Sequence, residues 1–490
     1  MYDRMKAARL GQRAVILGGS VAGLCAAAAV SPHFSQVVIL ERDELPDVAD
    51  HRRGVPQSRH PHFLLNAGRT ALEHLYPGIE AELIAGGALE LNPGRDAAYC
   101  ESRGWAPRKA GAMTMIYCSR ILLERTLRDR ACALANVAIR ERTTVHGLAF
   151  DGQHVTGVRY SPADTTGGEE TDTYDLVVDA LGRGSKVAYW LTTAGFPAVQ
   201  TLTLDAKVTY SSRWYRRPPP SADDWWWQLV VLPAATRGAK PVEHDYLSTI
   251  FPIENERWIA FMGSWGHEMP SSNDDFEECA QRIRTPAFSA ALKRAEPISD
   301  VHVTRATANK WRRYDRLAQP PLGIISVGDS ICAYNPLYGQ GMSAAAVTAV
   351  ILAETLDTTT CLDADFYRRF LLRQSHYLQI PWDTAITRDQ GYKHAVGTEV
   401  LQSAVRRRLM NRLAWPMFNL LSAASREDPV IEDHFSRVFN IEQSLRDMIT
   451  NPVVLSRLAR YQLKVFLGRT RLPRYFDALG DPPSTDYSTP

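Results

Sequence analysis

The sequence predicts an α/β protein in which a parallel-sheet domain is interrupted by an antiparallel sheet and followed by a helical region. Three observations predict it. A buried-type strand, a glycine-rich turn, an alanine-rich helix and a second strand follow one another over residues 14–40. Short β-branched and aromatic runs, separated by turn residues, fill about 202–306. A second buried-type strand, glycine turn and helix then return at 322–356. At 490 residues the chain is long enough for more than one domain and for a core that encloses a ligand. The expected division is a first part of the parallel-sheet domain at 1–200, the antiparallel sheet at 201–310, the second part at 311–358 and a helical region at 359–490.

Ala14–Leu17 reads as a buried parallel strand, and Gly18-Gly19-Ser20-Val21-Ala22-Gly23 opens a helix that Pro32 stops. Val37–Leu40 is the second strand and ends at Glu41, completing a βαβ unit. Residues 43–61 are polar and rich in Arg, His and Pro, and read as a loop; helical periodicity resumes over 62–85 and again over 119–135. Strands follow at 137–142, 145–150, 155–160 and 175–178, with a polar tip at 162–173. In the antiparallel region the runs 205–210, 226–232, 246–251, 258–262 and 300–305 read as strands, and 274–283 as a helix. Leu322–Val327 is again a parallel-type strand, Ser343–Leu356 a helix, and the rest to about Phe476 is helical in pattern.

Composition excludes several classes. A net charge of +2 gives no support for nucleic acid, which calls for a strongly basic face. Seven cysteines stand singly, with no Cys-x-x-Cys, which argues against a disulfide framework or a zinc site and for a reducing, cytoplasmic setting. Arg4, Lys6, Arg9 and Arg13 ahead of the apolar run 14–30 mimic a secretory signal, but the glycines fall at turn positions and a strand follows at once. No apolar run reaches the ~20 residues that span a bilayer.

Three motifs carry chemistry. Gly18-x-Ser20-x-x-Gly23 sits between a strand and a helix, where glycines permit the tight bend and close helix–strand packing and where the helix N-terminus offers N–H groups to phosphates. Ser20 stands where a glycine is usual. Glu41, at the end of the next strand, has the spacing of the acidic residue that holds a ribose, about 20 positions on; it disfavours a 2′-phosphate, so FAD or NAD fits better than NADP. The second motif is Asp179-Ala180-Leu181-Gly182-Arg183-Gly184-Ser185. The third is Gly328-Asp329-Ser330 followed by Asn335-Pro336-Leu337-Tyr338-Gly339-Gln340-Gly341-Met342. Asp329 is able to accept from a sugar or ribityl hydroxyl, and the turn 339–342 to aim backbone N–H groups at an electron-rich oxygen.

In this order the three motifs resemble the FAD-dependent, single-component aromatic-hydroxylase class of monooxygenases (group A), which includes squalene epoxidase. The resemblance covers residues to about 358. The wording Arg53-Gly-Val-Pro-Gln57-x-Arg59-His60-x-His62, with 335–342, is similar to the actinobacterial polyether-type polyene epoxidases. The resemblance implies a Rossmann-like FAD-binding domain with an inserted antiparallel substrate sheet and C-terminal helices. It implies that Gly18, Ser20 and Gly23 face the pyrophosphate, Glu41 the adenosine ribose and Arg120 the phosphate or ribityl region, with Gly19 and Arg42 also in the cofactor-binding set. Arg53 would lie in a mobile loop near the flavin, Val145 and Pro336 would belong to the cofactor-binding set, Asp329 would hold the ribityl–pyrophosphate region, and Gly339, Gln340, Gly341 and Met342 would line the isoalloxazine. Asp179 would belong to a motif shared between FAD and NAD(P)H binding, but Ala180 replaces the usual glycine, so a structural cap is an equal reading. The implied reaction uses transient NAD(P)H and O2 to epoxidise or hydroxylate a large apolar substrate (a polyene, polyketide or isoprenoid) through a flavin C4a-hydroperoxide. No catalytic residue is assigned.

Two other classes compete: a non-oxygenating FAD oxidoreductase such as a prenyl reductase or dehydrogenase, and a non-catalytic binding protein on the same scaffold. A halogenase is a further idea, but its Trp-x-Trp-x-Ile-Pro segment has no match in Trp225–Leu229. Trp214, Trp225, Trp226, Trp227, Phe251, Trp258, Phe261 and Trp265 either line an apolar pocket or pack the sheet. His60 and His62 lack further ligands at a recognisable spacing, so no metal is expected. Arg406-Arg407-Arg408 and 457–474 are basic and interleaved with apolar residues; the favoured reading is a solvated helix face, the alternative a membrane-surface helix.

Overall fold

A computed structural model describes residues 9–101, 104–106, 108–111, 113–163, 168–219, 228–232, 246–400 and 403–469. The apolar run after Gly11 forms β1 (Gly11–Leu17), and the alanine-rich stretch forms α1 (Val21–Val30), buried on almost every side because it lies under the sheet. β2 (Phe34–Leu40) and β3 (Val137–Arg140) extend the sheet on one side, β4 (Leu176–Asp179) and β5 (Ile324–Ser326) on the other. All neighbours are parallel and the spatial order is β5-β4-β1-β2-β3. The strand order reverses between β1 and β4, so their carboxyl ends flank a crevice, the place where open α/β sheets bind ligands.

The helix expected over 62–85 is two, α2 (Asn66–Leu75) and Ile79–Ala85, because Pro77 interrupts the ladder and Gly78 turns back at φ 87°. The helix expected over 119–135 is α3 (Arg120–Cys132), with the Ser119 hydroxyl accepting from Leu122 N–H as its cap. Thr143–Asp151, His154–Pro162 and Glu170–Thr173 form a separate antiparallel meander.

A larger, mainly antiparallel sheet is built on Val208–Arg216, Arg257–Trp265, Tyr246–Ile253 and Gln228–Val231; Ala97–Glu101, from much earlier in the chain, joins it parallel to Gln228–Val231 and pairs antiparallel with Gly104–Trp105. The strand expected over 205–210 starts only at Val208, because Lys207 adopts φ 52° and breaks the run. Two helices, Asn273–Gln281 and Pro286–Arg294, cover one face; the second was not expected, although Thr285 followed by Pro286 is a helix-start pair. Trp258 lies on that covered face with Phe276, whereas Trp214 and Phe251 share a cluster with the parallel sheet, and Phe261 and Trp265 one with Tyr210 and Tyr392. Trp225, Trp226 and Trp227 lie outside the described residues.

After β5 the chain runs through α4 (Gly341–Asp357) and the long α5 (Ala364–Asp389), then α6 (Ala404–Ser425) and three shorter helices that share their own small core. No helix among the described residues is long and apolar enough to cross a membrane.

Candidate functional site

The bend after β1 is made by Gly18 at φ 105°, whose N–H donates to Leu40 O at 2.9 Å. A Cβ at Gly23 would lie 1.9 Å from the Gly18 carbonyl oxygen, so only glycine lets α1 close on the strand. Ser20 is extended, at φ −95°, and the left-handed geometry that would disfavour serine falls on Gly18 instead. Its hydroxyl is not used as a helix cap: it donates to Glu124 Oε2 at 2.8 Å and accepts from Arg120 Nη2 at 2.8 Å.

Glu41 is 4% exposed and turned inward. Its Oε2 accepts from Gly19 N–H at 2.8 Å and its Oε1 from Asp43 N–H at 3.0 Å. Arg52 reaches into the same spot, 3.2 Å from Glu41, 2.8 Å from Asp43 and 2.7 Å from Glu124. These carboxylates hold the Arg52 guanidinium above its ordinary range against its burial. Arg120 is drawn the other way: burial lowers it, opposed by Glu124 and Asp329. A cleft beside this cluster is lined by Pro46, Val48, Arg52, Arg120, Glu124 and Arg128.

The second glycine turn meets the first directly. Gly328 has φ 57°, and a Cβ there would lie 2.5 Å from the Ala22 Cβ and 3.7 Å from the Ala345 Cβ. It is clamped between the first turns of α1 and α4, so the two helix N-termini are side by side. A Cβ at Gly341 would stand 3.5 Å from Asp329 Oδ1, which puts that carboxylate at the start of α4. Arg183 Nε lies 3.4 Å from Asp329 Oδ2. Pro336 opens a short 3-10 turn, Pro336–Tyr338, that ends in Gly339 at φ 65°. That turn is wedged between Phe63, 3.2 Å from where a Gly339 Cβ would be, and the sheet, where Gly263 leaves room for Leu337. Gln340 and Met342 are buried beside it.

Asp179 is fully buried and saturated: Oδ1 accepts from Leu181 N–H at 3.1 Å, Oδ2 from Ser185 Oγ at 2.7 Å and Ser326 Oγ at 3.1 Å. Burial raises it. Of its two readings, the geometry matches the cap. Arg42 and Arg53 are exposed, and Val145 is half-buried in the meander strand whose first residue, Thr143, donates to Glu41 O at 2.8 Å.

The loop after Asp43 closes over this region through neutral histidines. His60 is buried, with its ring 2.8 Å from Ser212 Oγ, 2.9 Å from Thr304 Oγ1 and edge-on to Tyr210. Burial, with His302 and Arg59 nearby, lowers it to about 3. His62 is lowered well below its ordinary range by burial and by Arg120, and His51 to about 4. His60, through Ser212 and Thr304, and His51, edge-on to Trp214, bind the loop to the antiparallel sheet, while His62 Nδ1 bonds within the loop to His60 O. Among the described residues no group of three or more His, Cys, Asp or Glu could hold a metal ion.

Sequence reasoning missed three residues. Arg52 and Glu124 join the cluster around Ser20, Glu41 and Arg120; Glu124 stands four residues after Arg120 on one helix face, a spacing that could have revealed it. Asp389, at the end of α5, is fully buried and accepts from Trp265 Nε1 at 3.1 Å, Asn309 Nδ2 at 2.8 Å, Asn335 Nδ2 at 3.1 Å and Tyr338 OH at 2.7 Å. Burial pushes it up and the four donors pull it down. It anchors the 335–339 turn to the sheet and to the helical region.

The residues present fit an FAD. Gly23 supplies the close approach of helix to strand. Arg120 Nε, beside Ser20 at the first glycine turn, and Gln340 Oε1, in the second, are buried without a hydrogen-bond partner, a donor and an acceptor. Such groups are costly to bury unmatched unless a ligand meets them.

A family model described as "FAD binding domain" matches residues 12–360. Protein Rv3254 of Mycobacterium tuberculosis (strain ATCC 25618 / H37Rv) is 30% identical over 470 residues, covering 94% of this chain and 95% of that protein. Among solved structures, a flavoprotein/dehydrogenase from Cytophaga hutchinsonii superposes with TM-score 0.63 at 12% identity, covering 94% of this chain and all of that one. The flavin-dependent brominase Bmp2 gives 0.62 at 15%, covering 94% and 100%. The p-nitrophenol 4-monooxygenase PnpA from Pseudomonas putida DLL-E4 gives 0.60 at 15%, covering 88% and 98%. At these identities the three structures share a fold with this chain.

Proposed function

The chain belongs to the FAD binding domain family, and on that premise we propose that it is an FAD-dependent monooxygenase that uses NAD(P)H and O2 to epoxidise or hydroxylate a large apolar substrate. One observation carries the reading: Gly328, clamped between Ala22 and Ala345, sets the two glycine turns side by side, as one elongated nucleotide requires.

When bound, FAD supplies the redox chemistry, taking a hydride from NAD(P)H and activating O2. The chain's own residues bind, orient and exclude. Glu41 accepts from the adenosine ribose hydroxyls. The α1 N-terminus and Arg120 offset the pyrophosphate charge, with the Ser20 hydroxyl between them. Asp329 accepts from the ribityl chain. The α4 N-terminus presents N–H groups and a positive dipole end to the ring edge that becomes electron-rich on reduction. Phe63, Tyr117 and Phe251 pack together, with Phe63–Phe251 centroids 4.9 Å apart, and keep water from the ring side. Tyr210 and Phe261, on the same sheet face, suit an apolar substrate better than a charged one.

The test is to reduce the FAD-loaded protein anaerobically with NADPH or NADH and mix it rapidly with O2. A transient absorbance band belonging to neither oxidised nor reduced flavin is expected. Direct return to the oxidised spectrum would favour a non-oxygenating oxidoreductase. A purified protein that is colourless and takes up no FAD would favour a binding protein.

A further inference from the structure

Most of the large hydrophobic side chains that stand exposed among the described residues lie between Val405 and Leu467, in the helices after α5. In α6 they are ordered. Val405 is 72% exposed, Leu409 56% and Leu413 60%, at successive four-residue steps. At 100° per residue these three fall within an arc of about 80°. Arg408 and Arg412 border that arc on one side and Arg406 on the other; all three are exposed, and α6 contains no acidic residue. Away from that arc, Asn411 and Leu421 are buried and Asn411 Nδ2 donates to Gly391 O at 3.3 Å, while Phe418 beyond Pro416 remains exposed. The arc is therefore left bare by a helix that is properly seated. In the last helix, Pro452–Phe466, the same texture recurs: Leu463 and Phe466 are exposed beside Arg460 and Lys464, while Val454, Leu458 and Tyr461 are buried.

We propose that the outer face of α6 lies in the surface of an anionic lipid bilayer, with Val405, Leu409 and Leu413 in the acyl boundary and Arg406, Arg408 and Arg412 on the headgroup phosphates. An apolar strip edged by cations on both sides, with no anion on the helix, matches a negatively charged interface. It matches a second copy of this chain poorly. A two-fold contact through this face would set the arginines of one α6 against those of the other. The placement has a use: α6 is bonded to Gly391, two residues from Asp389, so the docked face sits on the element that anchors the 335–339 turn. The proposal rests on exposure and charge alone and stands whether or not the bound flavin oxygenates.

The test is co-sedimentation of the full-length, FAD-loaded chain with phosphatidylcholine vesicles and with vesicles containing phosphatidylserine. Binding at least tenfold tighter to the anionic vesicles is expected, weakening as salt is raised. Leu409→Asp with Leu413→Asp should abolish it without changing flavin content. Arg408→Gln with Arg412→Gln should weaken it roughly fivefold for each charge removed, from ~1 kcal/mol per surface charge. Equal, absent or salt-insensitive binding to the two vesicles overturns the proposal. So does anionic-vesicle binding by the Asp variant at wild-type strength. A wild-type dimer in light scattering that becomes monomeric in the Asp variant also overturns it, by assigning the face to contact between copies.

Discussion

Replacing Gly328 by alanine asks directly whether the two glycine turns touch. The new methyl would meet the Ala22 Cβ at 2.5 Å, and its own backbone would have to hold φ 57°. The two penalties are separable. Holding a non-glycine residue in the left-handed region costs ~1–2 kcal/mol, and an overpacked methyl costs ~1–3 kcal/mol. Ala22→Gly removes only the second. Alone it costs ~1 kcal/mol as a glycine in a helix. The expected single-variant loss for Gly328→Ala is therefore about 2–5 kcal/mol. The double variant should be less destabilised than the sum of the singles by about 1–3 kcal/mol, the steric part. The assay is denaturant unfolding of the four proteins at saturating FAD, with FAD dissociation constants measured in parallel. Strict additivity in both would mean that Ala22 and Gly328 do not touch, and the case for one shared nucleotide cleft would fail with it.

Three further outcomes are expected. Glu41→Gln should weaken FAD binding about 10–100-fold, the worth of a hydrogen bond to a charged group at ~1.5–3 kcal/mol, while Arg52 keeps Asp43 and Glu124 as partners; an unchanged dissociation constant by flavin fluorescence titration would remove Glu41 from the ribose. Asp389→Asn sets an amide N–H against donors from Asn309 and Asn335 and should cost ~3 kcal/mol of stability in denaturant; an unshifted midpoint would show that the hub bears no strain. His60 is neutral down to about 3 in the folded chain against 6.5 ordinarily, so the unfolded chain binds the extra proton between those values. Its contribution is fully present above 6.5 and is lost as pH falls, at about 1.4 kcal/mol per pH unit. His51, half-exposed at about 4, adds a smaller loss of the same sign. His60→Asn should flatten the acid limb of a stability–pH curve, and an identical limb would exclude His60 as its source.

The βαβ unit was legible because its information is local: strand, turn, helix and acidic strand end follow within residues 11–41, and the structure keeps their order. The strand at Val208 was misplaced by three residues because the backbone reversal at Lys207 has no glycine to announce it. The split helix at Gly78 had its signal, a Pro-Gly pair, outvoted by apolar periodicity on both sides. At the site, Glu41 and the glycines stand out by their spacing in the sequence, whereas Arg52 and Asp389 do not. Each acts on partners far along the chain, Glu124 for one and Trp265, Asn309 and Asn335 for the other, and no periodicity encodes a meeting of that kind. Adjacent positions also mislead: of Arg52 and Arg53, the loop buries the first and leaves the second in water.

The clamp at Gly328 has a consequence for the order of assembly. Ala22 leaves the ribosome about 300 residues ahead of Gly328 and Ala345. The early βαβ unit has its own strand partners but lacks the far wall of the crevice, so a nascent chain has no complete seat for the nucleotide. If the two turns share one nucleotide as proposed, a chain cut short before α4 would lack half of its seat.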